Sequence, residues 1–474
     1  VAFRKELRRA YPAGKLAGHV LGSVNVDNKG TAGIERYVDE AIGVDPVNSA
    51  TLSTRPPVRL SLDVGIQHAL EDELDAATRR YQTAGAAGLV LDIKSGEILA
   101  SASLPRIDPL FPSQSTGADA ADKISGGTYE MGSVFKALTI AMALDAGIAT
   151  PQTVLDVSQP LRAGSFTIAD AHGAGRPLTV TEVFTHSSNV GAGQLAREAG
   201  PDRLRAFLKK CGLIDPMQLE TGMTPKPQLP ERWEDVQQIT VSFGHGIAVA
   251  PIQFAAAAAS VLNRGVRVAP TFLKVHPGGN LTATRIVSRK TAAAMATLFR
   301  RNVTDAEGTG SRADVPGYRV GGKTGTAELV THGHYAKDAV LSSFVAAFPM
   351  EDPRYLTLVM LWQPRASQDT GGSRTASANA APVTANLISR IAGELDVMPV
   401  RVRIATNAQR VLNADTSAVF LLQSDGETLK PISVVGSEAE VILGETFRLG
   451  EGMIGSIAAD GTADMIHNTT HDPR

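Results

Sequence analysis

Alternating and continuous apolar positions divide the first part of the chain into a strand, a helix and a hairpin. Residues 58–62 alternate between apolar and polar side chains, which predicts a strand. Asp63 follows at the position of a helix N-cap, and this helix is expected to run to about Arg80. The apolar runs at 86–93 and 97–102 flank a short polar turn, so we expect them to pair as a β-hairpin.

The rest of the pattern adds helices and a second group of strands. Late strands are predicted at 318–329, 340–348 and 356–362. Helices are expected in the first half of 178–200, in an alanine-rich segment that ends near Asn263, at 289–303 and at 376–395. Two early and three late strands with helices between them indicate an α+β fold. We expect one five-stranded antiparallel sheet, flanked by helices, in which the first and last parts of the domain meet.

Length, charge and cysteine content limit the possible classes of protein. A chain of 474 residues is long enough for two or three domains. The formal net charge of −2 and the lack of a basic run argue against a nucleic-acid partner. The single cysteine, Cys211, rules out an internal disulfide and is expected to be a core residue beside Leu208 and Leu213. No motif indicates a metal site or a cofactor.

Several weaker patterns carry no function. Gly191-Ala192-Gly193 and Gly308-Thr309-Gly310 loosely fit a dinucleotide fingerprint, but neither follows a convincing strand in a βαβ unit, so we interpret both as chance matches. No apolar stretch reaches the length that spans a bilayer. The first residue is Val1 and not methionine, so a membrane anchor is expected to lie outside this chain.

A serine and a lysine three positions apart open the longest apolar helical run. Gly132-Ser133-Val134-Phe135-Lys136 begins this run, and Gly147 ends it. Residues at this spacing share one helix face, so the side chains of Ser133 and Lys136 are expected to reach each other. Ser133 also lies in the first turn, where unpaired backbone N–H groups favour developing negative charge. A lysine that burial keeps partly neutral can activate such a serine, although S-x-x-K alone is expected by chance in this length.

Two further motifs follow in order along the chain. Ser187-Ser188-Asn189 supplies an S-x-N element, and Lys323-Thr324-Gly325-Thr326 supplies K-T-G followed by a second threonine. S-x-N is a weak signal, because Ser23-Val24-Asn25 and Ser377-Ala378-Asn379 also fit it. Only Ser187 lies between the other two motifs, and K-T-G occurs once. Together, S-x-x-K, S-x-N and K-T-G are the signature of penicillin-binding proteins and class A β-lactamases.

With these motifs the chain resembles the class B penicillin-binding proteins, and among them the division-specific peptidoglycan D,D-transpeptidases. The resemblance covers residues 1–398 and includes Gly96-Glu97-Ile98-Leu99-Ala100 and Tyr129-Glu130-Met131-Gly132. Met131 stands where proline is common in the family. The resemblance implies a penicillin-binding/β-lactamase-like fold and a serine enzyme that cross-links peptidoglycan stem peptides, without a cofactor or metal. It also implies inhibition by β-lactams, which mimic the substrate and leave a stable acyl-enzyme.

The resemblance implies a catalytic role for five residues. Ser133 would be the nucleophile that attacks the D-Ala-D-Ala carbonyl, and Lys136 would be its general base. Ser187 and Lys323 would relay the proton to the leaving D-alanine, and Asn189 would hold the peptide amide.

It also implies a substrate-binding role for Thr324, Gly325 and Thr326. The two threonines would bind the substrate carboxylate beside Lys323. The backbone N–H groups of Ser133 and Thr326 would form the oxyanion hole, which usually contributes strongly to the catalysis of acyl transfer. An amine of a neighbouring stem peptide would then take the acyl group.

The expected organisation has three segments. Residues 1–58 resemble the C-terminal remnant of the family's non-catalytic pedestal module, and 59–398 form the transpeptidase domain. Residues 399–474 resemble the first half of a GAF sensor domain, which usually works inside the membrane, so we interpret this tail as a fusion or a joined reading frame without a function. The implied location is the cell inner membrane with a periplasmic catalytic domain. The implied partners are stem peptides, β-lactams, a membrane-embedded glycosyltransferase and division proteins.

Two other functions fit part of the sequence. A β-lactamase shares the three motifs but hydrolyses its acyl-enzyme. Here the second motif reads Ser187-Ser188-Asn189 and not Ser-Asp-Asn, and a pedestal remnant precedes the domain. A non-catalytic penicillin sensor coupled to the GAF-like tail is the other alternative, and the intact motifs argue against it. Labelling with a fluorescent penicillin and a turnover assay distinguish these functions.

Overall fold

The architecture is that of a computed structural model, which describes residues 9–42, 57–114, 117, 121–171, 173–276, 283–331, 334–395, 405–406, 408–410, 414–423 and 425–461. The chain separates into two compact units, Val1–Ser389 and Arg390–Arg474. The first unit contains a five-stranded sheet, and the second contains a three-stranded sheet.

A five-stranded antiparallel sheet organises the first unit. Its strands are β1 (Gly85–Asp92), β2 (Ile98–Leu104), β3 (Gly321–Thr331), β4 (His334–Phe348) and β5 (Tyr355–Trp362). Their order across the sheet is β3-β4-β5-β1-β2, so a late strand pairs with an early one. In the β5–β1 pair Leu358 lies opposite Leu89, and every residue of both strands is buried. The prediction of one antiparallel sheet that joins both parts of the domain is confirmed.

Helices flank this sheet. The main ones are α1 (Val64–Tyr81), α2 (Lys136–Asp145), α3 (Val180–Thr185), α4 (Asn189–Ala199), α5 (Pro201–Cys211), α6 (Asp235–Ser242), α7 (Pro251–Leu262), α8 (Arg289–Thr304) and α9 (Ala380–Leu395). Helix α1 packs on β1 and β2, α7 on β5, and α8 on β3. The predicted helices after Asp63, at 289–303 and in the alanine-rich segment are confirmed.

Shorter elements complete the described part of this unit. Two further helices precede α1, namely Gly18–Leu21 and Gly33–Ile42. The 3₁₀ turns are Pro112–Gln114, Gly132–Phe135, Ser311–Ala313 and Gln368–Thr370. The short strands are Ser23–Val24, Gly30–Ala32, Val154–Leu155, Leu161–Ala163, Phe166–Ile168, Leu178–Thr179, Gln218–Leu219, Gly222–Met223, Val266–Val268 and Ala283–Arg285.

The N-terminal segment is tied to α1 through a buried carboxylate. Glu71 accepts hydrogen bonds from the backbone N–H of Ala17 at 2.7 Å and from Gln67 Nε2 at 2.8 Å. Arg106 Nη1 lies 3.0 Å from the other carboxylate oxygen. A buried charge is tolerated only when it is paired and hydrogen-bonded in this way, so the segment before α1 is an integral part of the first unit.

The core extends from the sheet to the helix that carries Lys136. Every residue of α7 is buried, and its Phe254 stacks with Phe135 at a centroid distance of 6.3 Å. Cys211 is fully buried beside Leu208 and Leu213, which confirms its prediction as a core residue. Burial raises the pKa of the Cys211 thiol to about 12, so this thiol stays protonated and unreactive.

Two sequence-based predictions need correction. Residues 58–62 do not form a strand: Leu60 makes a single antiparallel bridge to Leu273, and Val58 is exposed. Segment 178–200 is helical in both halves and not only in the first, because Ser188 caps a new helix by accepting a hydrogen bond from Gly191 N–H at 3.0 Å. The pattern of side chains hid this break, since both helices have apolar faces.

Two smaller differences concern helices. The helix expected at 376–395 begins at Ala380, because residues 376–379 form a turn before it. Helices α5 and α6 were not predicted at all. Helix α5 begins with Pro201 and ends before a left-handed Gly212, which are standard start and stop signals.

The second unit has its own small sheet. Its antiparallel strands Thr416–Leu422, Thr428–Gly436 and Phe447–Arg448 are adjacent in chain order. Helices Ala439–Leu443 and Gly452–Asp460 complete the named elements. The rings of Phe420 and Phe447 pack edge to face at 5.2 Å. Among the described residues of both units, no helix has the length and apolar character needed to cross a membrane.

The N-cap of α1 gives a direct test of the fold. Asp63 has an extended backbone, and its side chain accepts a hydrogen bond from Ile66 N–H at 3.0 Å. Asp63→Ala should lower the free energy of unfolding by about 1 kcal/mol, because the N–H loses its acceptor. Asp63→Ser should retain most of the stability. Urea unfolding of the two variants measures this, and equal losses in both would contradict the capping role.

Candidate active site

Ser133 and Lys136 face each other at the start of a buried helix. Gly132–Phe135 form a 3₁₀ turn that continues into α2, and the side chains at i and i+3 of such a turn are eclipsed. Lys136 Nζ lies 2.9 Å from Ser133 Oγ. Lys136 is fully buried, whereas Ser133 is half-buried. The predicted contact between the two side chains is therefore confirmed.

The second motif reaches Lys136 through a left-handed residue. Ser187 has a φ of +61°, a conformation that costs a non-glycine residue about 1 kcal/mol. In this conformation Ser187 Oγ lies 3.2 Å from Lys136 Nζ, and the Ser187 carbonyl oxygen accepts a hydrogen bond from the same amine. The local strain thus places two oxygens of one residue against the lysine.

Asp170 holds the second motif in place. Its carboxylate accepts hydrogen bonds from Ser188 Oγ at 2.6 Å, from Val190 N–H at 3.0 Å and from the Asn189 N–H. These donors stand at the N-terminus of α4, where the helix dipole also favours a negative charge. Asn189 Nδ2 donates to the Ala169 carbonyl at 3.3 Å. Ser187 and Asn189 are thereby fixed on either side of the buried cap Ser188.

The third motif lies on β3, the edge strand of the sheet. Lys323 is fully buried, and its Nζ lies 3.2 Å from the Thr324 carbonyl oxygen and 5.8 Å from the centre of the Phe184 ring. Thr324 Oγ1 donates to Thr309 Oγ1 at 2.8 Å. Thr326 Oγ1 accepts a hydrogen bond from the Ala376 N–H at 3.3 Å. Each side chain of the motif is therefore fixed by a different neighbour.

Glycine allows β3 to approach the serine turn. A Cβ atom at Gly325 would lie 2.5 Å from Ser343 Oγ and 2.8 Å from the Met131 carbonyl oxygen. Gly132 has a φ of +60°, and a Cβ there would lie 3.0 Å from the Thr326 carbonyl oxygen. The close approach of the two backbones is thus possible only with glycine at both positions.

Side chains of all three motifs line one cleft of about 450 Å³. The lining residues are Ser133, Asp170, Ala171, His186, Ser187, Asn189, Phe243, His245, Thr309, Thr324, Thr326, Thr375, Ala376 and Ser377. Lys136 and Lys323 lie buried behind this surface. The structure therefore brings together all eight residues that the sequence indicated. Within the described part of the chain, no group of three or more His, Cys, Asp or Glu side chains could hold a metal ion.

Burial of two lysines sets the electrostatics of the cleft. Desolvation lowers the pKa of Lys136 to about 7, and the nearby charge of Asp170 partly opposes this shift. Desolvation also holds the pKa of Lys323 well below its ordinary value, and the positive charge of Lys136 lowers it further. Near neutral pH, Lys136 therefore exists in both protonation states and can take up a proton.

Sequence reasoning missed three parts of the cleft. Asp170 lies in a segment with no recognisable motif, and Thr309 lies in the glycine-flanked segment that was interpreted as a chance match. The segment that includes Ser377-Ala378-Asn379 also lines the cleft, but Asn379 itself is fully buried and accepts a hydrogen bond from Ser342 Oγ. Its match to S-x-N therefore reflects a structural role. The paired glycines around Thr309 were the only available sequence signal.

Known proteins resemble this chain in sequence. Residues 86–389 match the model of the penicillin-binding protein transpeptidase domain. The chain is 38% identical over 404 residues to a Caulobacter vibrioides protein named "probable peptidoglycan D,D-transpeptidase FtsI", covering 84% of this chain and 68% of the relative. It is 31% identical over 414 residues to penicillin-binding protein PbpB of Mycolicibacterium smegmatis, covering 79% and 63%. This chain thus spans about two thirds of the length of these relatives.

A solved structure agrees with the fold. The apo form of penicillin-binding protein 3 from Mycobacterium tuberculosis superposes with a TM-score of 0.72 and 29% sequence identity. The superposition covers 82% of this chain and 91% of that chain. The fold, the family model and the curated relatives agree, and this chain belongs to the penicillin-binding proteins, of which it carries the transpeptidase domain.

Proposed function

We propose that this chain is a serine-type peptidoglycan D,D-transpeptidase that acts in septal cell-wall synthesis through an acyl-enzyme on Ser133. The observation that carries the proposal is the buried amine of Lys136, which lies 2.9 Å from Ser133 Oγ and has a pKa of about 7. An amine in this state can take the serine proton at neutral pH. The names of the relatives, peptidoglycan D,D-transpeptidase among them, support the same reaction.

In the proposed acylation, Ser133 Oγ attacks the carbonyl carbon of the D-Ala-D-Ala bond while its proton moves to Lys136. The new C–O bond forms, the C–N bond breaks, and the terminal D-alanine leaves as an amine. Its nitrogen receives the proton along Ser187 and Lys323. Ser187 Oγ lies 3.2 Å from Lys136 Nζ, and the charge of Lys136 acts on buried Lys323. Asn189 binds the peptide amide of the donor stem peptide.

The same proposal assigns the edge strand to binding. Thr324 and Thr326 bind the terminal carboxylate beside Lys323, and Gly325 lets the strand approach the serine turn. The N–H groups of Ser133 and Thr326 stabilise the oxyanion. An amine of a neighbouring stem peptide then attacks the acyl carbon. The C–N bond of the cross-link forms, the ester C–O bond to Ser133 breaks, and the proton of the amine passes through Lys136 to Ser133 Oγ.

Binding of β-lactams follows from the same chemistry. Opening of the lactam ring acylates Ser133 without releasing a leaving group, so the acyl-enzyme persists. Penicillin-binding protein 3 from Mycobacterium tuberculosis, 29% identical to this chain, has been solved in complex with ampicillin and with aztreonam. Those complexes support the expectation that this cleft accepts β-lactams.

A transpeptidase is favoured over a β-lactamase by the residues around the cleft. Class A β-lactamases use a glutamate and a water molecule to hydrolyse the acyl-enzyme. Among the described lining residues the carboxylate is Asp170, which is engaged by Ser188, Asn189 and Val190. Because these hydrogen bonds occupy its oxygens, Asp170 has a structural role and does not act as the base that activates a water molecule. The three intact motifs likewise argue against a non-catalytic penicillin sensor.

We also propose the domain organisation and location. Residues 1–58 are the pedestal remnant, 59–398 the transpeptidase domain and 399–474 a partial GAF-like segment. The contact of Glu71 with Ala17 supports an attached N-terminal remnant, and the small sheet of the second unit is compatible with the GAF-like interpretation. The boundary at 398/399 lies outside the described residues. The catalytic domain acts on the periplasmic side of the inner membrane, alongside a membrane-embedded glycosyltransferase and division proteins.

Covalent labelling tests the nucleophile. Ser133→Ala should abolish labelling by a fluorescent penicillin, because the acyl bond has no oxygen to form on. Ser389→Ala is a matched control, since Ser389 is an exposed serine that donates to the Ala385 carbonyl of its own helix. Mass spectrometry should place the adduct of the unmodified chain on Ser133. An adduct on any other residue would rule out this assignment.

The pH dependence of acylation tests Lys136 as the base. Protonated Lys136 cannot accept the serine proton, so the acylation rate should rise as pH increases through about 7 and level off above it. Lys136→Ala should slow acylation by about 10²-fold or more.

The charge of Asp170 gives a second test, because it raises the pKa of Lys136. Asp170→Asn removes this charge, so the midpoint of the pH profile of acylation should move to lower pH. Asp156→Asn, which alters a surface carboxylate bonded to Ser158, should leave the midpoint unchanged.

Stopped-flow acylation between pH 5 and pH 9 provides the measurement, a range that covers about two units on each side of the lysine pKa. A Lys136→Ala variant that acylates at the normal rate would show that the lysine is only structural. A profile that is flat across neutral pH would show that another group limits the rate.

The C-terminal tail should be dispensable for this chemistry. All motif residues lie in the first unit, Val1–Ser389, and the second unit is a small sheet of three strands. A chain that ends at Val397 should keep the acylation rate and the thermal midpoint of the full chain. Calorimetry and penicillin labelling measure the two quantities. A midpoint lowered by many degrees, or severalfold slower acylation, would show that the tail is part of the enzyme.

A further inference from the structure

Asn302 is a fully buried polar side chain that the proposed reaction does not use. It lies near the end of α8, and its Nδ2 donates to the Gly322 carbonyl at 2.8 Å. Gly322 directly precedes Lys323 on the edge strand. Asn302 Oδ1 accepts a hydrogen bond from Thr309 Oγ1 at 3.1 Å. One amide therefore binds both the strand that carries the third motif and the loop that precedes it.

The loop is shaped around this amide. A Cβ atom at Gly308 would lie 2.3 Å from the backbone carbonyl oxygen of Asn302. A Cβ atom at Gly310 would lie 2.9 Å from the side-chain Nδ2 of Asn302. The two glycines therefore let the loop close over Asn302. The Thr309 N–H donates to the Thr185 carbonyl at 3.3 Å, which anchors the loop to the helix before Ser187.

Thr309 is the part of this network that reaches the cleft. It lines the cleft beside Thr324, and Thr324 Oγ1 donates to Thr309 Oγ1 at 2.8 Å. A threonine hydroxyl both donates and accepts, so Thr309 can keep a hydrogen bond to Thr324 whichever way the Thr324 proton points. When the Thr324 hydroxyl donates to a carboxylate, Thr309 turns its single hydroxyl proton from Asn302 Oδ1 to Thr324 Oγ1.

We propose that Thr309, held by Asn302, is a positioning residue that orients the Thr324 hydroxyl toward the terminal carboxylate of the acyl donor. This inference rests on the proposed function, and it adds one residue, Thr309, to the carboxylate site that Thr324 and Thr326 form. Thr309 acts through Thr324 and does not touch the reacting carbonyl. Its loss should therefore affect recognition of the carboxylate and leave the chemistry at Ser133 intact.

The test compares two acylating reagents on the full chain. Second-order rate constants for acylation of Ser133 are measured with a penicillin and with the methyl ester of its carboxylate. Thr309→Val, which keeps the shape and removes the hydroxyl, should slow the reaction of the free acid by about tenfold, because Thr324 then loses the orientation of its hydrogen bond to a charged group. It should leave the ester unaffected. Thr309→Ser restores the hydroxyl and should restore the rate.

Thr297→Val is the matched control, since Thr297 is an exposed threonine on α8 that donates to the Ala293 carbonyl of the same helix. In a Thr324→Val background, adding Thr309→Val should cause no further loss for the free acid, because the two residues act in series. Should Thr309→Val fold poorly, Thr309→Ala removes the same hydroxyl with less bulk.

The outcomes are distinguishable. If the unmodified chain forms no adduct on Ser133 with either reagent, the proposed function fails and the inference fails with it. If the adduct forms but Thr309→Val slows both reagents equally, or slows neither, the proposed function survives and the role of Thr309 is overturned. Loss confined to the free acid, with recovery in Thr309→Ser, supports the inference.

Discussion

The structure of the cleft depends on the burial of the Lys136 amine. Removing an amine from water disfavours its charged form, and the cost is reduced only by hydrogen-bond partners inside the protein. Lys136 contacts Ser133 Oγ and two oxygens of Ser187. A charged amine can donate to all three, whereas a neutral amine can donate to two and accept from the Ser133 hydroxyl. The same three contacts therefore suit both protonation states, so the proton can move without rearrangement.

This constraint explains why distant parts of the chain must meet at one point. Ser187 supplies its two oxygens only in a left-handed conformation, which the Asp170 carboxylate maintains by binding the residues that follow. On the other side, Gly325 allows the edge strand to approach the serine turn and brings Lys323 behind the cleft. Each support lies far from Lys136 in sequence, so the pKa of the lysine depends on the complete fold.

Local patterns in the sequence were enough to predict the sheet and the motifs. They were not enough to predict the hydrogen bonds that hold the motif residues in place. The strands around Leu89 and Leu358 were predictable, because buried strands form short apolar runs. The contact of Ser133 with Lys136 was also predictable, since it depends on spacing alone. Asp170 and Thr309 were not, because hydrogen bonds across long sequence separations leave no periodic trace. The strand expected near Leu60 was wrong because alternation does not reveal whether a partner strand exists.

The two sides of the cleft are supported by different chemistry, and the difference suits a negatively charged substrate. The S-x-N side is held by the carboxylate of Asp170, which also keeps the pKa of Lys136 from falling further. The K-T-G side is held by the neutral side chains of Asn302 and Thr309. A carboxylate in the place of Asn302 would repel a bound carboxylate. The neutral side chains of Asn302 and Thr309 do not repel an anion that binds at the edge strand. The charged side chain, Asp170, lies instead on the side of the base, Lys136.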